Sequence, residues 1–396
     1  MSGPLARPLR VCFVAGSMGG GGAERQLVDL LKHLDRRRVT PQLYLQYRRG
    51  ELLPEIPADI PVDAFWDGDA KRSLLQRGLA KLRCPCAARA LHLRETLVRR
   101  PADVIMSWSL MCVYETALAT LGRRVPHVGY IIVEPDAEVD DALSRSFPFR
   151  HRLARWAYRS TTKVLANSAV LRERTEQYYD LPADRTGTLL NCRDFERVDR
   201  LATSETPSWP GVGRRIVAAG RLRHQKGFDL LLEAVARVHS AESPVQLAIL
   251  GQGPDQAELE QQAAKLGIAE QVHFLGFQTN PFSYFRTADV FILPSRFEGN
   301  PNTLIEAVAC RVPVVAADCP TGPREILEGG RWGRLVPVED VGALATALKE
   351  TFESPPADQQ LDAARQSVLD RFGLGVCVDQ LITMFETLAA ENQARK

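Results

Sequence analysis

Two carboxylates and two cations stand in Gly- and Pro-rich surroundings in the second half of this 396-residue chain. Glu298 lies in the segment Pro294-Ser-Arg-Phe-Glu-Gly-Asn-Pro-Asn302, and Glu306 follows eight positions later. Leu304, Ile305, Val308 and Ala309 recur at helical period, with Glu306 off their face. Asn300 is a good N-cap and Pro301 a good first residue, so a helix is predicted to begin just after Asn300. Such a start leaves amide groups without intrahelical partners and a positive dipole end, which favour a phosphate. A loop carboxylate for hydroxyls, helix amides for phosphate and a helix carboxylate for a ribose together suit a sugar phosphate. The plain alternative is an exposed helix carrying two solvated glutamates.

The cations come earlier, in Gly220-Arg-Leu-Arg-His-Gln-Lys-Gly-Phe-Asp229. Arg221 and Lys226 fall in a short strand-to-helix loop, where two positive charges can neutralise a departing diphosphate. Lys226 and Glu298 are both expected in exposed loops. Gly251-Gln-Gly-Pro254 and Gly276-Phe-Gln-Thr-Asn-Pro281 also follow apolar runs, making Gly253 and Phe277 candidate contacts to a nucleotide base. In the first half, Gly16-Ser-Met-Gly-Gly-Gly-Gly22 follows a strand, so Gly19 and Gly20 allow close approach of a ligand or form a plain tight turn. These glycines match neither the dinucleotide-binding spacing nor a P-loop.

The elements that must position these residues repeat twice. Apolar runs at 10–15, 103–107, 127–133 and 163–166 alternate with helical patterns, the first helix running from Ala23 to Leu34. After the Pro-, Ser- and Gly-rich stretch 202–213 the alternation restarts, with strands expected at 215–219, 245–250, 271–275, 290–293 and 312–316. The chain therefore reads as α/β, with a Rossmann-like domain at 1–201, a linker at 202–213, a second Rossmann-like domain at 214–375 and a C-terminal helix at 376–396. Hydrophobic content of 45%, charged content of 25% and a net charge of +2 fit a globular protein without a global field for polyanions. No long apolar leader or span is apparent, so a cytoplasmic setting with reduced thiols is expected. Cys84 and Cys86 form a lone C-x-C without a partner pair for zinc.

With these motifs in hand, the chain resembles the retaining GT-B glycosyltransferases of glycosyltransferase family 4. The resemblance covers nearly all of the second half and Gly-Gly-Ala-Glu-Arg at 21–25. It implies two Rossmann-like domains facing across a cleft, Glu298 on sugar hydroxyls, Glu306 on ribose, and Arg221 and Lys226 on the diphosphate. Asn302 and Thr303 are implied to offer helix amides to the phosphates. The segment Asp318-Cys-Pro-Thr-Gly-Pro-Arg-Glu-Ile326 is similar to bacterial members that extend lipid-linked oligosaccharides, often from UDP-N-acetylhexosamines. Where many members carry a His after a first-domain strand, this chain reads Tyr130-Ile-Ile-Val-Glu134-Pro-Asp136, and Glu134 serves either the acceptor or a surface turn. His127 precedes that strand.

No cofactor beyond a nucleotide-sugar donor, UDP-linked, is expected, and no metal. Asp67-Gly68-Asp69 permits a D-x-D metal reading, but in a polar turn away from the other motifs. Residues 71–100 carry nine Lys/Arg against the single acid Glu95. Leu74, Leu75, Leu79 and Leu82 at helical spacing among Arg72, Arg77, Lys81 and Arg83 suit an anionic membrane surface, and Leu93, Leu97 and Val98 mark a second helix. Arg145, Arg150, Arg152, Arg155 and Arg159 extend the charge. The partners expected are a UDP-sugar, a lipid-linked saccharide acceptor and the inner membrane face, with no nucleic acid. A sugar-nucleotide epimerase or hydrolase, or a non-enzymatic sensor, is the rival reading.

Overall fold

The computed structural model describes residues 7–19, 21–67, 85–143 and 149–395. The chain forms two compact units: Met1–Cys192 with Leu374–Lys396, and Arg193–Gly373.

Among the described residues, the first unit holds seven strands: β1 (Leu9–Ala15), β2 (Val39–Tyr47), β3 (Val62–Trp66), β4 (Val104–Trp108), β5 (His127–Ile131), β6 (Lys163–Ala166) and β7 (Thr186–Thr188). They lie in the order β3-β2-β1-β4-β5-β6-β7, and every pairing is parallel, with Val11 opposite both Pro41 and Val104. Parallel strands are covered on both faces, which is why β1 reads as a nearly unbroken apolar run and is buried along most of its length. Val39–Tyr47 and Val62–Trp66 were not among the strands expected from the sequence. The terminal helix Leu374–Ala394, whose packing the sequence left open, belongs to this unit. Its Cys377, Leu381, Ile382 and Phe385 enter the core beside Phe13 and Leu27, and Arg38 ties it down through Glu386 at 2.7 Å.

The second unit holds β8 (Arg214–Ala219), β9 (Val245–Leu250), β10 (Val272–Gly276), β11 (Val290–Leu293), β12 (Val314–Ala317) and β13 (Arg334–Val336). Their order is β10-β9-β8-β11-β12-β13, again with all pairings parallel. The stretch 202–213, read from composition as a linker, lies inside this unit. Trp209 Nε1 donates to Thr287 Oγ1 at 2.9 Å and its ring meets Tyr284 edge-on at 5.6 Å, so aromatic packing fixes a segment that looks loose in sequence. The chain crosses between units at Cys192–Arg193 and returns at Gly373–Leu374. Both sheets reverse their strand order once, between β1 and β4 and between β8 and β11. Ligands of open α/β sheets bind at the carboxyl ends of strands beside such a reversal.

Candidate functional site

In the second unit that place is furnished by the loops after β8 and β11. Gly227, at φ +64°, lets the first loop lie directly on the second: a Cβ there would stand 2.1 Å from the Pro294 carbonyl oxygen. Arg296 N donates to Gln225 O at 2.9 Å, and the Arg296 guanidinium holds His224 O at 2.8 Å and Asp229 at 2.6 Å. The loops so locked bring Lys226 Nζ to Glu298 Oε1 at 2.6 Å, across 72 positions of sequence. The same oxygen accepts from Ser295 Oγ at 2.6 Å, and Thr321 Oγ1 donates to the Glu298 carbonyl. The expectation of exposed loops is corrected here: side-chain exposure is 18% for Lys226 and 6% for Glu298, because the loops cover one another. Arg221 is exposed at the start of the same loop.

The helix Asn302–Ala309 follows, starting one residue later than expected because Pro301, at ψ 102°, is outside the helical region and takes the cap position. Asn302 and Thr303 are its first two residues, both half-buried. Glu306 stands one turn on, with Oε1 3.2 Å from Arg193 Nε. Arg193 was not singled out in the sequence, because nothing local marks a partner 113 positions away.

The remaining glycine motifs also converge on this end of the sheet. Gly251, at φ +143°, would place a Cβ 1.9 Å from the Gly220 carbonyl oxygen, and Gly253 would place one 2.1 Å from that of Leu222. Leu222 N donates to Gln252 O at 3.0 Å, and Gly251 N to Gly276 O at 2.8 Å. Loop-on-loop packing therefore accounts for Gly251 and Gly253, and it sets the exposed Phe277 beside them in sequence after Gly276.

The first unit is different. A Cβ on Gly19 would meet nothing within 4 Å; Gly20 lies outside the described residues. Arg25 is bound to both oxygens of Glu55 at 2.7 Å. Glu134 caps the helix Pro135–Ala142 by position and pairs with Arg174 at 2.5 Å. His127 is the first residue of β5, buried, with Nε2 3.0 Å from Ser107 Oγ, and burial holds its imidazole down to about 3. Asp67 pairs with Arg48 at 3.1 Å, while Gly68 and Asp69 lie outside the described residues. So do Cys84, Arg145 and the basic leucine-rich stretch to residue 84, with Arg72, Arg77, Lys81 and Arg83. Beyond it, the helix Pro85–Arg99 buries Leu93 and Leu97 in the core, and Arg89 is held by Glu115 at 2.6 Å. These two leucines therefore pack on the sheet, whereas Val98 is exposed.

Two further features escaped sequence reading. Ser109, directly after β4, holds φ +75° and ψ 155°, a region that non-glycine residues rarely adopt. Glu138, one turn into the helix Pro135–Ala142, is buried and accepts from Tyr158 OH at 2.8 Å and from the Leu110 amide at 2.9 Å. Burial pushes its carboxyl up to about 7, although those hydrogen bonds pull it down. In sequence it is one of four acids between Asp136 and Asp141, with nothing to mark it as the buried one.

Comparison with known proteins matches both units. A family model described as Glycosyltransferase Family 4 matches residues 20–197, and one described as Glycosyl transferases group 1 matches residues 213–354. One relative, from Campylobacter jejuni, is an N-acetylgalactosamine-N,N'-diacetylbacillosaminyl-diphospho-undecaprenol 4-alpha-N-acetylgalactosaminyltransferase. It is 27% identical over 346 residues, covering 85% of this chain and 88% of its own. The lipopolysaccharide core biosynthesis glycosyltransferase LpsD of Rhizobium meliloti is 25% identical, over 92% of this chain and 95% of its own. Among solved structures, Alr3699/HepE from Anabaena in complex with UDP superposes with a TM-score of 0.75 at 21% identity, over 96% of this chain and 100% of its own. Two all-parallel Rossmann-like sheets of the GT-B fold and family models matched on each half place this chain in glycosyltransferase family 4.

Proposed function

We propose that the protein transfers a hexosyl or N-acetylhexosaminyl unit, with retention, from a UDP-sugar to a lipid-linked saccharide at the inner membrane face. The observation that carries the donor half is the Lys226–Glu298 pair at the strand-order reversal of the second unit. In this reading Glu298 accepts from sugar hydroxyls. The ammonium of Lys226 has three donors, so it can keep Glu298 in place and still meet a diphosphate oxygen. Arg221 and the amides of Asn302 and Thr303 meet the remaining phosphate charge, which grows as the nucleotide leaves. Glu306 takes the ribose, and Gly253 and Phe277 border the base. These groups are proposed to act without a divalent metal, so EDTA should leave most of the rate. A complete loss restored by magnesium would overturn that part.

The UDP complex of the Anabaena protein and the undecaprenol-linked substrate in the Campylobacter relative's name support the choice of donor and acceptor. No helix among the described residues is long and apolar enough to cross a membrane. The helix Arg150–Arg159 supplies a surface suited to lie on one. It buries Ala154, Ala157 and Tyr158 and turns outward Arg152, Arg155 and Arg159. Phe149 and Trp156 are 56% and 38% exposed beside them. Aromatic rings among arginines favour an anionic interface. In this reading Glu134 serves the acceptor, and Gly19 and Gly20 allow close approach of a substrate.

The test is transfer itself: a panel of UDP-sugars offered with a polyprenyl-diphosphate-linked saccharide, with the anomeric configuration of the product read by NMR. An α-linked product from an α-linked donor is expected. An inverted product, or turnover yielding only epimerised or free sugar, would overturn the reading. Sedimentation with anionic liposomes should fall steeply with salt, since the attraction is screened within about 8–10 Å at physiological ionic strength.

A further inference from the structure

We infer that Arg193 is a positioning residue for Glu306: the pair fixes the carboxylate that reads the nucleotide's ribose. The inference rests on the proposed role of Glu306. Arg193 is the first residue of the second unit, and its side chain is 8% exposed against 16% for Glu306, with the charged atoms 3.2 Å apart. Its backbone is fixed as well. Arg193 N donates to Phe372 O at 2.7 Å, and Arg193 forms an isolated parallel bridge with Gly373, the last residue of the unit.

The consequence follows from the chemistry of the two groups. A guanidinium does not deprotonate in a protein, so a buried one requires an anion beside it. Arg193 therefore favours Glu306 as a carboxylate, which accepts hydrogen bonds only and has about four lone-pair sites. The ion-pair contact at Oε1 does not by itself exhaust those sites, and the two adjacent hydroxyls of a ribose are donors suited to them. It also holds the side chain in one orientation before the ligand arrives, and less freedom remains to be lost on binding. Arginine suits this better than lysine, because its charge persists on burial whereas a buried lysine shifts its pKa readily.

Calorimetric titration of the full chain with UDP and with 2′,3′-dideoxy-UDP tests this, since the second probe lacks the hydroxyls. The wild type should prefer UDP by about tenfold, the size of a hydrogen bond to a charged group. Glu306→Gln should cut that preference to about threefold or less, and Arg193→Gln should bring it to the same level. The double variant should fall no further, as expected of residues acting through one contact. If Arg193→Gln weakens both probes by one factor and leaves the preference intact, Arg193 is merely structural and the inference fails alone. If the wild type shows no preference, or Glu306→Gln keeps it, the ribose reading of Glu306 falls and takes the inference with it. Should Arg193→Gln not fold, Arg193→Lys replaces it: an intermediate preference supports the inference and a full wild-type preference overturns it.

Discussion

The six strands of the second unit repeat the order of the first six of the first unit, with one parallel pairing scheme and one reversal, yet the strand ends of the two units are built differently. In the second unit the loops after β8, β9 and β11 touch backbone to backbone: a Cβ on Gly251 or Gly227 would stand 1.9 or 2.1 Å from a carbonyl oxygen. In the first unit the loop after β2 meets the loop after β1 in the same way, through Gly50 at φ +124°, where a Cβ would stand 2.0 Å from the Met18 carbonyl oxygen, yet a Cβ on the adjacent Gly19 would meet nothing within 4 Å. The same spelling, an apolar strand followed by glycines, thus does two jobs. In one unit glycine permits contact between loops and so fixes a charged pair. At Gly19 of the other it leaves room. Polar groups divide the same way. Lys226 and Glu298 pair with each other at a loop junction, whereas Glu138 and His127 are buried on neutral hydroxyl and amide partners of the first unit.

The largest expected effect tests the fixed site. Glu298→Ala and Lys226→Ala should each lower transfer by about a hundredfold or more, since removing one preorganised charge contact typically costs 10²–10³ in rate. Each also strands its partner partly buried, so a lower melting temperature is expected as well. Initial rates at saturating donor, with circular dichroism on the same samples, check this. A rate within threefold of wild type in either variant would remove the β8–β11 junction as the reacting site.

The glycine contrast comes next. Gly251→Ala forces a side chain into a positive-φ position against Gly220 and should lower stability by about 1–3 kcal/mol or more. Gly19→Ala should stay within about 0.5 kcal/mol. Urea unfolding midpoints compare the two directly. Equal shifts would erase the distinction between contact and room.

A smaller effect concerns the buried carboxyl of the first unit. The native Glu138 binds its proton more tightly than an ordinary glutamate, holding it up to about 7 rather than releasing it near 4.5. Between those values the folded state carries more protons than the unfolded state, so this group's contribution to stability falls as pH rises. A change of order 1–3 kcal/mol between pH 4.5 and 7 is expected, and Glu138→Gln should flatten it. Melting curves across that range decide the point, and parallel profiles for variant and wild type would refute it. The smallest effect is at the surface. Glu134→Ala breaks an exposed pair with Arg174 and should change stability by under about 0.5 kcal/mol. A several-fold drop on the lipid-linked acceptor, with donor hydrolysis unchanged, would give Glu134 its acceptor role; equal rates would leave it a surface pair.

The amino-acid sequence by itself determined what local pattern can carry. Continuous apolar runs gave β1, β6, β9 and β11 to within a residue at each end, because buried parallel strands require such runs. The glycine-flanked loops carrying Lys226, Glu298 and Gly253 were likewise legible as strand-to-helix turns. Less regular strands were not: Val39–Tyr47 contains Pro41 and polar Gln42 and Gln46, and only its place beside β1 makes it a strand. Tertiary structure alone decided which side chains meet. Lys226 reaches Glu298 across 72 positions, and Arg193 reaches Glu306 through the closing of a unit whose two ends pair at Gly373. It alone decided that Glu138 is buried among its acidic neighbours, and that Leu93 and Leu97 pack inward rather than facing a membrane. The physical reason is the same in each case. A residue's periodicity and propensity are properties of its neighbours along the chain, whereas its partner and its share of water depend on elements that only packing brings together.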